Sequence, residues 1–319
     1  MIQMTSAEDT RLASSATKPG SHDARIPLLV MIPLAVVVLA VMFWGFETHT
    51  RAEVIQGSFS VPDQVRTVLV EIDVGSVTLS AGERGEVSFT GRTLLATTTK
   101  ELLDRAGAVP ITLEPVDDGD PSTLVLRETP MPEGFAPPSP IDGSGAQEPQ
   151  PGTPVLVTEL DAILSVPPDL PVRIVVRQGN LKVDYRRALT DIRTGSGAVV
   201  VTSVEAELEV ENGNGEILVD KHLGPLTLRG NGLVRVSLAQ IRGPVDIVNE
   251  KGEVGIFLPN DGVFRLSARA PASQVRNEFG LPKVSIGPAG SKVEGEVGSG
   301  GPLIGVEAKA GTVTVAKNK

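Results

Sequence analysis

The sequence predicts an all-β protein. The predicted fold is a single-stranded right-handed β-solenoid of about 18–20 residues per coil, with one short helix in an N-terminal excursion and one preceding transmembrane helix. Three observations support this prediction. A short glycine-aliphatic unit recurs through the C-terminal half. Aromatic residues make up only 3% of the 319 residues, so Val, Leu and Ile have to form the interior. An apolar run near the N-terminus is long enough to cross a bilayer.

The recurring unit is Gly-x-Φ-x-Φ, in which Φ is aliphatic. Consecutive copies are spaced by 18, 18, 17 and 20 residues over the central part of the repeat. Two short strands per unit are typical of one solenoid coil, which buries its aliphatic face against the next coil. Glycine at a corner adopts conformations that β-branched residues resist. We therefore predict a structural role for the glycines that open the units: Gly75, Gly179, Gly197, Gly215, Gly232, Gly252 and Gly311.

Polar side chains accompany the repeat at fixed positions. The residues before five of the glycines are Gln178, Ser196, Asn214, Asn231 and Lys251. We predict that they form a hydrogen-bonded ladder down one corner, with a structural role. Four glutamates, Glu205, Glu207, Glu209 and Glu211, alternate with Leu208 and Val210, which directs the carboxylates outward. An acidic solvated face is favoured over the enclosed carboxylate pair of a glycosidase.

Residues 26–46 contain no charged side chain. At ~1.5 Å per residue this run spans about 30 Å, which matches the hydrocarbon core of a bilayer. A cleaved signal peptide is disfavoured, because the preceding tail is long and no A-x-A site follows. Arg11, Lys18 and Arg25 precede the run, whereas only Arg51 closely follows it. The positive-inside rule then predicts a single-pass protein of the cytoplasmic membrane, with a cytoplasmic N-terminus and an extracytoplasmic C-terminal region.

The chain divides into five predicted parts. Residues 1–25 are a disordered tail, 26–46 the transmembrane helix, 47–128 the first β coil with its helix-bearing part, 129–154 a Pro-rich loop or linker, and 155–319 the β-solenoid repeat region. One domain with an insertion and two separate domains both fit. A capping box predicts a helix over Thr98–Ala106, with Thr98 as N-cap and Glu101 at N3. This helix is expected to cap one end of the solenoid, and the polar residues 316–319 the other.

The sequence contains few residues that could act in catalysis or bind a metal. Cysteine is absent, and of the three histidines His222 is predicted to lie at a surface turn. We predict no catalytic, cofactor-binding or metal-ligating residue and no cofactor. The net charge of −10 argues against nucleic-acid binding. The densest basic cluster contains Arg173, Arg177, Arg186, Arg187 and Arg193. Those arginines either balance neighbouring acids or meet an anionic polymer of the cell envelope.

The lead-in Ser60-Val61-Pro62-Asp63 and the serial glycine units resemble the putative bacterial adhesin family, a membrane-anchored β-solenoid domain of unknown function. The segment Val70-Glu-Ile-Asp-Val-Gly75-Ser-Val77-Thr-Leu79 also looks like the start of that domain. The resemblance covers residues 54–319 and becomes irregular after Ile256. It implies adhesion and supplies no catalytic residues.

The sequence thus predicts a non-catalytic, extracytoplasmic binding, adhesin-like or scaffolding module of the bacterial cell envelope. Its expected partners are the lipid bilayer, through residues 26–46, and an envelope protein or polymer. The alternatives are a self-assembling, bactofilin-like structural polymer and, less favoured, a polysaccharide-active enzyme.

Overall fold

The computed structural model describes residues 49–97, 99–106, 112–116, 119–129, 157–271, 274–285 and 290–318. Of these residues 63% lie in strands and 3% in a helix, which confirms the all-β prediction. Within these ranges no helix has the length and apolar character that crossing a membrane requires. The predicted tail, the predicted transmembrane helix at 26–46 and nearly all of the predicted linker lie outside the described residues. Residues Thr48–Lys319 form one compact unit.

The first part of this unit holds seven strands and one helix. They are β1 His49–Ser60, β2 Thr67–Val74, β3 Val77–Ala81, β4 Glu86–Thr97, α1 Lys100–Ala106, β5 Leu113–Val116, β6 Thr123–Glu128 and β7 Val157–Val166.

The repeat region follows. Its strands are β8 Val172–Gln178, β9 Leu181–Arg186, β10 Thr190–Ser196, β11 Val199–Val204, β12 Leu208–Asn212, β13 Ile217–His222, β14 Leu226–Gly230, β15 Val234–Leu238, β16 Val245–Asn249 and β17 Val254–Leu258. The last strands are β18 Phe264–Ala270, β19 Val275–Asn277, β20 Lys283–Ser285, β21 Ser291–Val297, β22 Leu303–Ala308 and β23 Val313–Lys317.

The strands form two sheets. Sheet A has the order β1-β4-β7-β3-β9-β11-β13-β15-β17-β23-β19, and sheet B has the order β20-β21-β18-β22-β16-β14-β12-β10-β8-β2-β6-β5. From β8 to β17 the chain alternates between the sheets, and each of the strands β8 to β15 pairs in parallel with the strand two elements later. One strand from each sheet therefore makes up one repeat.

The first repeat is separated from the others in sequence but not in space. Strands β2 and β3 pair in parallel with β8 and β9, with Val68 opposite Val172 and Val77 opposite Leu181. The intervening chain adds strands beyond this repeat. In sheet A, β7 pairs in parallel with β3, and β4 and β1 follow with antiparallel pairs. In sheet B, β6 pairs in parallel with β2, and β5 pairs antiparallel with β6.

The core lies between the sheets and runs through all the repeats as one cluster of buried side chains. Alternation along each strand directs every second aliphatic residue inward. In β13, for example, Ile217 and Val219 are buried, whereas Leu218 between them is half-buried on the outer face. The parallel register places Ile217 between Val199 and Val234, so each repeat covers the aliphatic face of its neighbours.

The seven corner glycines form one column. Their φ angles lie between +96° and +159°, which L side chains rarely adopt. A Cβ atom on Gly197 would lie 1.9 Å from the carbonyl oxygen of Gly179, and one on Gly311 would lie 1.8 Å from that of Gly252. The corner therefore requires glycine both for conformation and for space.

The prediction that the side chains before these glycines form a hydrogen-bonded ladder is wrong. The backbone carbonyls at those positions form the ladder, as where Gly179 N donates to Ser196 O at 2.9 Å. Three asparagine side chains in the described chain do bond at this corner: Asn180, which accepts from Ala198 N at 2.9 Å, and Asn212 and Asn249, which are buried at the ends of β12 and β16. Asn212 Nδ2 donates to Gly197 O at 2.9 Å, and Asn249 Nδ2 donates to Gly232 O at 2.8 Å.

The C-terminal segment lies inside the sheets rather than at their end. Strands β22 and β23 insert between β16–β17 on one side and β18–β19 on the other. The prediction that residues 316–319 cap the end is therefore wrong, because Ala316 and Lys317 belong to an interior strand. The end itself is formed by β18, β21 and β20, which pair antiparallel.

The helix begins one residue later than predicted. Thr99 is the N-cap, since Leu102 N donates to Thr99 Oγ1 at 3.3 Å and Leu103 N to Thr99 O at 3.1 Å. The predicted N-cap, Thr98, lies outside the described residues. The helix packs against β1 and β4, near the edge of sheet A.

The inward register generates a first prediction. Ile217→Asp places a carboxylate among buried aliphatic residues and should lower the free energy of unfolding by at least about 3 kcal/mol. Leu218→Asp, on the outer face of the same strand, should cost less than about 1 kcal/mol. Urea unfolding of both variants measures the difference, and equal losses would contradict the register.

The column of corner glycines generates a second prediction. Gly197→Ala should lower the free energy of unfolding by about 2 kcal/mol or more, because its Cβ meets backbone and its φ is +125°. Gly255→Ala is the matched control, since its nearest neighbour would be 3.5 Å away and belongs to a side chain. Thermal unfolding compares them, and the column would lose its steric role if both variants melted alike.

Candidate functional site

The outer faces of the two sheets differ in chemistry. On sheet A the outward residues of the repeats are mainly small, hydroxylated or aliphatic, among them Thr78, Ser80, Val200, Thr202, Leu218, Ser237 and Thr314, with Lys182, Asp184 and Arg235 as charged members. On sheet B they are mainly charged: Glu71, Arg127, Arg173, Asp191, Arg193, Glu209, Glu211, Arg229 and Asp246. A charged face this dense makes sheet B the stronger candidate for recognition of a charged partner.

Asp191 is the centre of the charged face. Its side chain is 6% exposed, although it lies on the outer side of β10. Arg173 Nε lies 2.6 Å from Asp191 Oδ2, and Arg193 Nε lies 3.5 Å from Oδ1. Both arginine side chains are 52% exposed. Asp191 therefore holds two guanidinium groups in place while their remaining N–H groups stay open to solvent.

A groove of about 320 Å³ lies beside this triad, on the side of β2 and β6. Thr67, Leu69, Pro171 and Leu189 line it together with Thr123, Val172, Arg173 and Asp191. Aliphatic walls, two threonine hydroxyls and one oriented guanidinium suit a partner that carries an anionic group on an apolar or sugar-like body.

The predicted arginine cluster is divided by the structure. Arg177 Nη2 lies 3.5 Å from Asp73 Oδ2, and Arg187 Nη2 lies 3.1 Å from Asp169 Oδ2. Together with the triad, these pairs support the interpretation that the arginines balance neighbouring acids. They leave Arg173 and Arg193 as the pair that shares a single carboxylate.

Arg186 is fully buried, so it does not belong to a surface cluster. Its Nη1 donates to Val166 O at 3.1 Å and to Pro167 O at 2.8 Å, and its Nη2 donates to Leu170 O. Burial lowers the pKa of Arg186 to about 10. The side chain ties together the turn between β7 and β8, which leads into Pro171 of the groove.

The predicted acidic face is outward, as expected. Glu205, Glu207 and Glu211 are exposed and Glu209 is half-buried. Among the described residues, none of the four has an ion-pair partner within 4.0 Å, and no group of three or more His, Cys, Asp or Glu could hold a metal ion.

The prediction that His222 lies on the surface is wrong. His222 is 0% exposed at the end of β13, in the same column as Val204 and Leu238. Its Nε2 lies 3.0 Å from Pro225 O, and its Nδ1 has no partner in the described part of the chain. Burial lowers the pKa of His222 below its ordinary value of 6.5.

The triad was missed at the sequence level, although a signal for it exists. Arg173 and Asp191 are 18 residues apart, which is one repeat. Residues one repeat apart lie side by side in a parallel ladder, so the pairing of Arg173 with Asp191 could have been predicted from the spacing. The groove had no such signal, because β6 reaches its place beside β2 through a non-local pairing.

Comparisons with known proteins find low similarity. No family model and no curated protein matches the chain. A putative cell adhesion protein from Clostridium sporogenes is 11% identical, with a TM-score of 0.28, over 83% of this chain and 100% of that one. A putative adhesin from Bacteroides fragilis is 15% identical, with a TM-score of 0.23, over 83% and 97%. A putative adhesin from Parabacteroides merdae is 9% identical, with a TM-score of 0.17, over 84% and 97%. These scores are too low to support an inference about fold or function.

The buried imidazole generates a third prediction. The unfolded chain takes up a proton on this imidazole near pH 6.5 that the folded chain resists, so the contribution of His222 to the free energy of unfolding should fall as pH decreases below about 6.5. Its slope should approach about 1.4 kcal/mol per pH unit. His222→Leu should remove this component. Urea unfolding of residues 49–319 between pH 8 and pH 5 tests it, and identical slopes in both proteins would contradict it.

Proposed function

We propose that this chain is a non-catalytic, adhesin-like binding module of the cell envelope, held in the cytoplasmic membrane by residues 26–46 with its β region outside. The region after the anchor is a β-solenoid, and the groove beside Arg173 is where it recognises a partner. The observation that carries the proposal is the arrangement around Asp191, a nearly buried carboxylate that positions two half-exposed arginines on an outer face.

The solenoid assignment is supported by the strand connections. Each parallel neighbour in one sheet is reached through a strand of the other sheet, so the chain winds around a common core. Parallel strands joined by such a crossover are right-handed in about 98% of known cases, which supports the right-handed form. The repeat length of 17 to 20 residues gives two strands and two turns per coil.

The non-catalytic assignment rests on the chemistry of the outer faces. A general acid or base has to reach a substrate, whereas the imidazole of His222 is enclosed. Asp191, the carboxylate that lines the groove, is engaged by Arg173 at 2.6 Å and by Arg193 at 3.5 Å. A carboxylate held in that way positions the two guanidinium groups.

The partner class follows from the groove. Its walls carry Leu69, Pro171 and Leu189, its hydroxyls come from Thr67 and Thr123, and its cation is Arg173. An oriented guanidinium binds a carboxylate or phosphate with two parallel hydrogen bonds. We therefore propose an envelope polymer or protein that presents a carboxylate or phosphate group.

A fourth prediction tests this site. Arg173→Gln should weaken binding of a polygalacturonate probe about tenfold or more, because one charge-assisted hydrogen bond is worth about 1.5–3 kcal/mol. Binding of the fluorescent probe to the full chain in vesicles is measured at low salt, with neutral dextran as the reference polymer.

Arg229→Gln is the matched control. Arg229 lies on the same face, is 51% exposed and contacts Asp246 at 3.0 Å, but does not line the groove. Equal losses for the two variants would show that the net charge of the face, rather than the groove, attracts the polymer. Absence of polygalacturonate binding by the unmodified chain would remove the anionic-partner proposal.

A further inference from the structure

The two ends of the sheets carry terminal strands of very different length. Strand β1 has 12 residues and lies at the end of sheet A, so one of its edges has no neighbouring strand among the residues that the structure describes. The other terminal strands are β19 and β20, with three residues each, and β5, with four residues that include Pro115. Short strands and proline discourage pairing at a sheet edge, and β1 has neither protection.

The outer side of β1 is uncharged. Its outward residues are Thr50, Ala52, Val54, Gln56, Ser58 and Ser60, and all of them are exposed. Val54 is 87% exposed, more than any other exposed large hydrophobic residue of the described chain. An exposed aliphatic side chain at the middle of a strand with one free edge is the kind of surface that a partner covers.

We propose that β1 pairs antiparallel with β1 of a second copy of this chain, so that Val54 lies opposite Val54 of the partner subunit. The pairing extends sheet A across a twofold axis. It uses the free edge of β1 in the same antiparallel arrangement that the opposite edge forms with β4.

The sequence of β1 is compatible with itself in this register. A twofold axis at Val54 pairs position 52 with 56 and position 50 with 58, so Ala lies opposite Gln and Thr opposite Ser. No like charges face each other on the outer side. On the inner side, Arg51 Nη2 lies 2.7 Å from Glu53 Oε1, so the two charges of β1 neutralise each other within one chain.

The position of β1 in the chain favours the second copy as the partner. The apolar run ends at Phe46, and β1 begins at His49. This step rests on the proposed membrane anchor: copies held in one membrane by that run would meet at an effective concentration far above that in free solution. The pairing uses one surface twice, so it closes as a dimer and does not extend into a filament.

The chain contains no cysteine, so a single introduced thiol reports one contact. In Val54→Cys the two thiols face each other, because directly opposite Cβ atoms are about 4.5–5.5 Å apart. Full-length chain in membranes, oxidised with copper phenanthroline and run on a non-reducing gel, should convert mostly to a disulfide-linked dimer.

Two control cysteines make this result specific. In Ser58→Cys the thiols would lie eight residues apart along the paired strands, about 27 Å, so little dimer should form. Val284→Cys, 55% exposed on β20 at the other end, reports random collision. Dimer yields for either control equal to that of Val54→Cys would overturn the proposal.

A charge at the axis provides an independent measurement. Val54→Lys places two ammonium groups opposite each other and should raise the dimer dissociation constant of the full chain in detergent at least tenfold, measured by sedimentation velocity. An unchanged constant, or a monomer at every concentration of the unmodified chain, would overturn the proposal. The groove and β1 are separate surfaces, so either proposal can fail while the other stands.

Discussion

The close approach of backbone to backbone at one corner is the constraint on which the rest of the fold depends. At six of the seven corner glycines the Cα atom faces the carbonyl oxygen of the corner glycine in the adjacent repeat, and a Cβ would lie 1.7 to 2.4 Å from that oxygen. Gly75 faces the carbonyl oxygen of Leu160 instead, at 2.0 Å. The contact between corner glycines fixes how one repeat lies on the next. The same register then places aliphatic residues in inward columns and Arg173 beside Asp191 on the outside. The arrangement of Arg173 and Asp191 on the outer face is thus a consequence of the corner.

This constraint also explains the order of the C-terminal strands. The chain offers two segments that could follow β16 and β17 in space. Residues 263–275 come next in sequence but contain no glycine, whereas the later segment carries Gly311. The structure places Gly311 against Gly252 and leaves β18 and β19 outside. The irregularity after Ile256 was visible in the sequence. The sequence did not show which segment follows β16 and β17 in space, because that depends on a choice between two non-local pairings.

Periodic features were predictable and local exceptions were not. The corner glycines, the outward glutamates and the inward Ile217 follow from a period of about 18 residues, which the sequence displays directly. His222 was placed at the surface because histidine is polar and lies near a turn. The period itself would have corrected this, since 222 is 18 residues after Val204 and shares its buried column. Arg186 occupies the preceding position of that column, where its guanidinium bonds three carbonyl oxygens. Side-chain polarity alone therefore misleads where repeat register decides burial.

The two ends of the sheets determine how copies of this chain can associate. At the C-terminal end β18, β21 and β20 pair antiparallel, and the terminal strands that remain have three residues each. A filament needs both ends to pair, and strands this short offer too few hydrogen bonds to hold a second copy. The N-terminal end presents β1, whose 12 residues have no strand neighbour along one edge within the described part of the chain. In the proposed β1 pairing, association would stop at two copies and the charged face of sheet B would stay outside the contact.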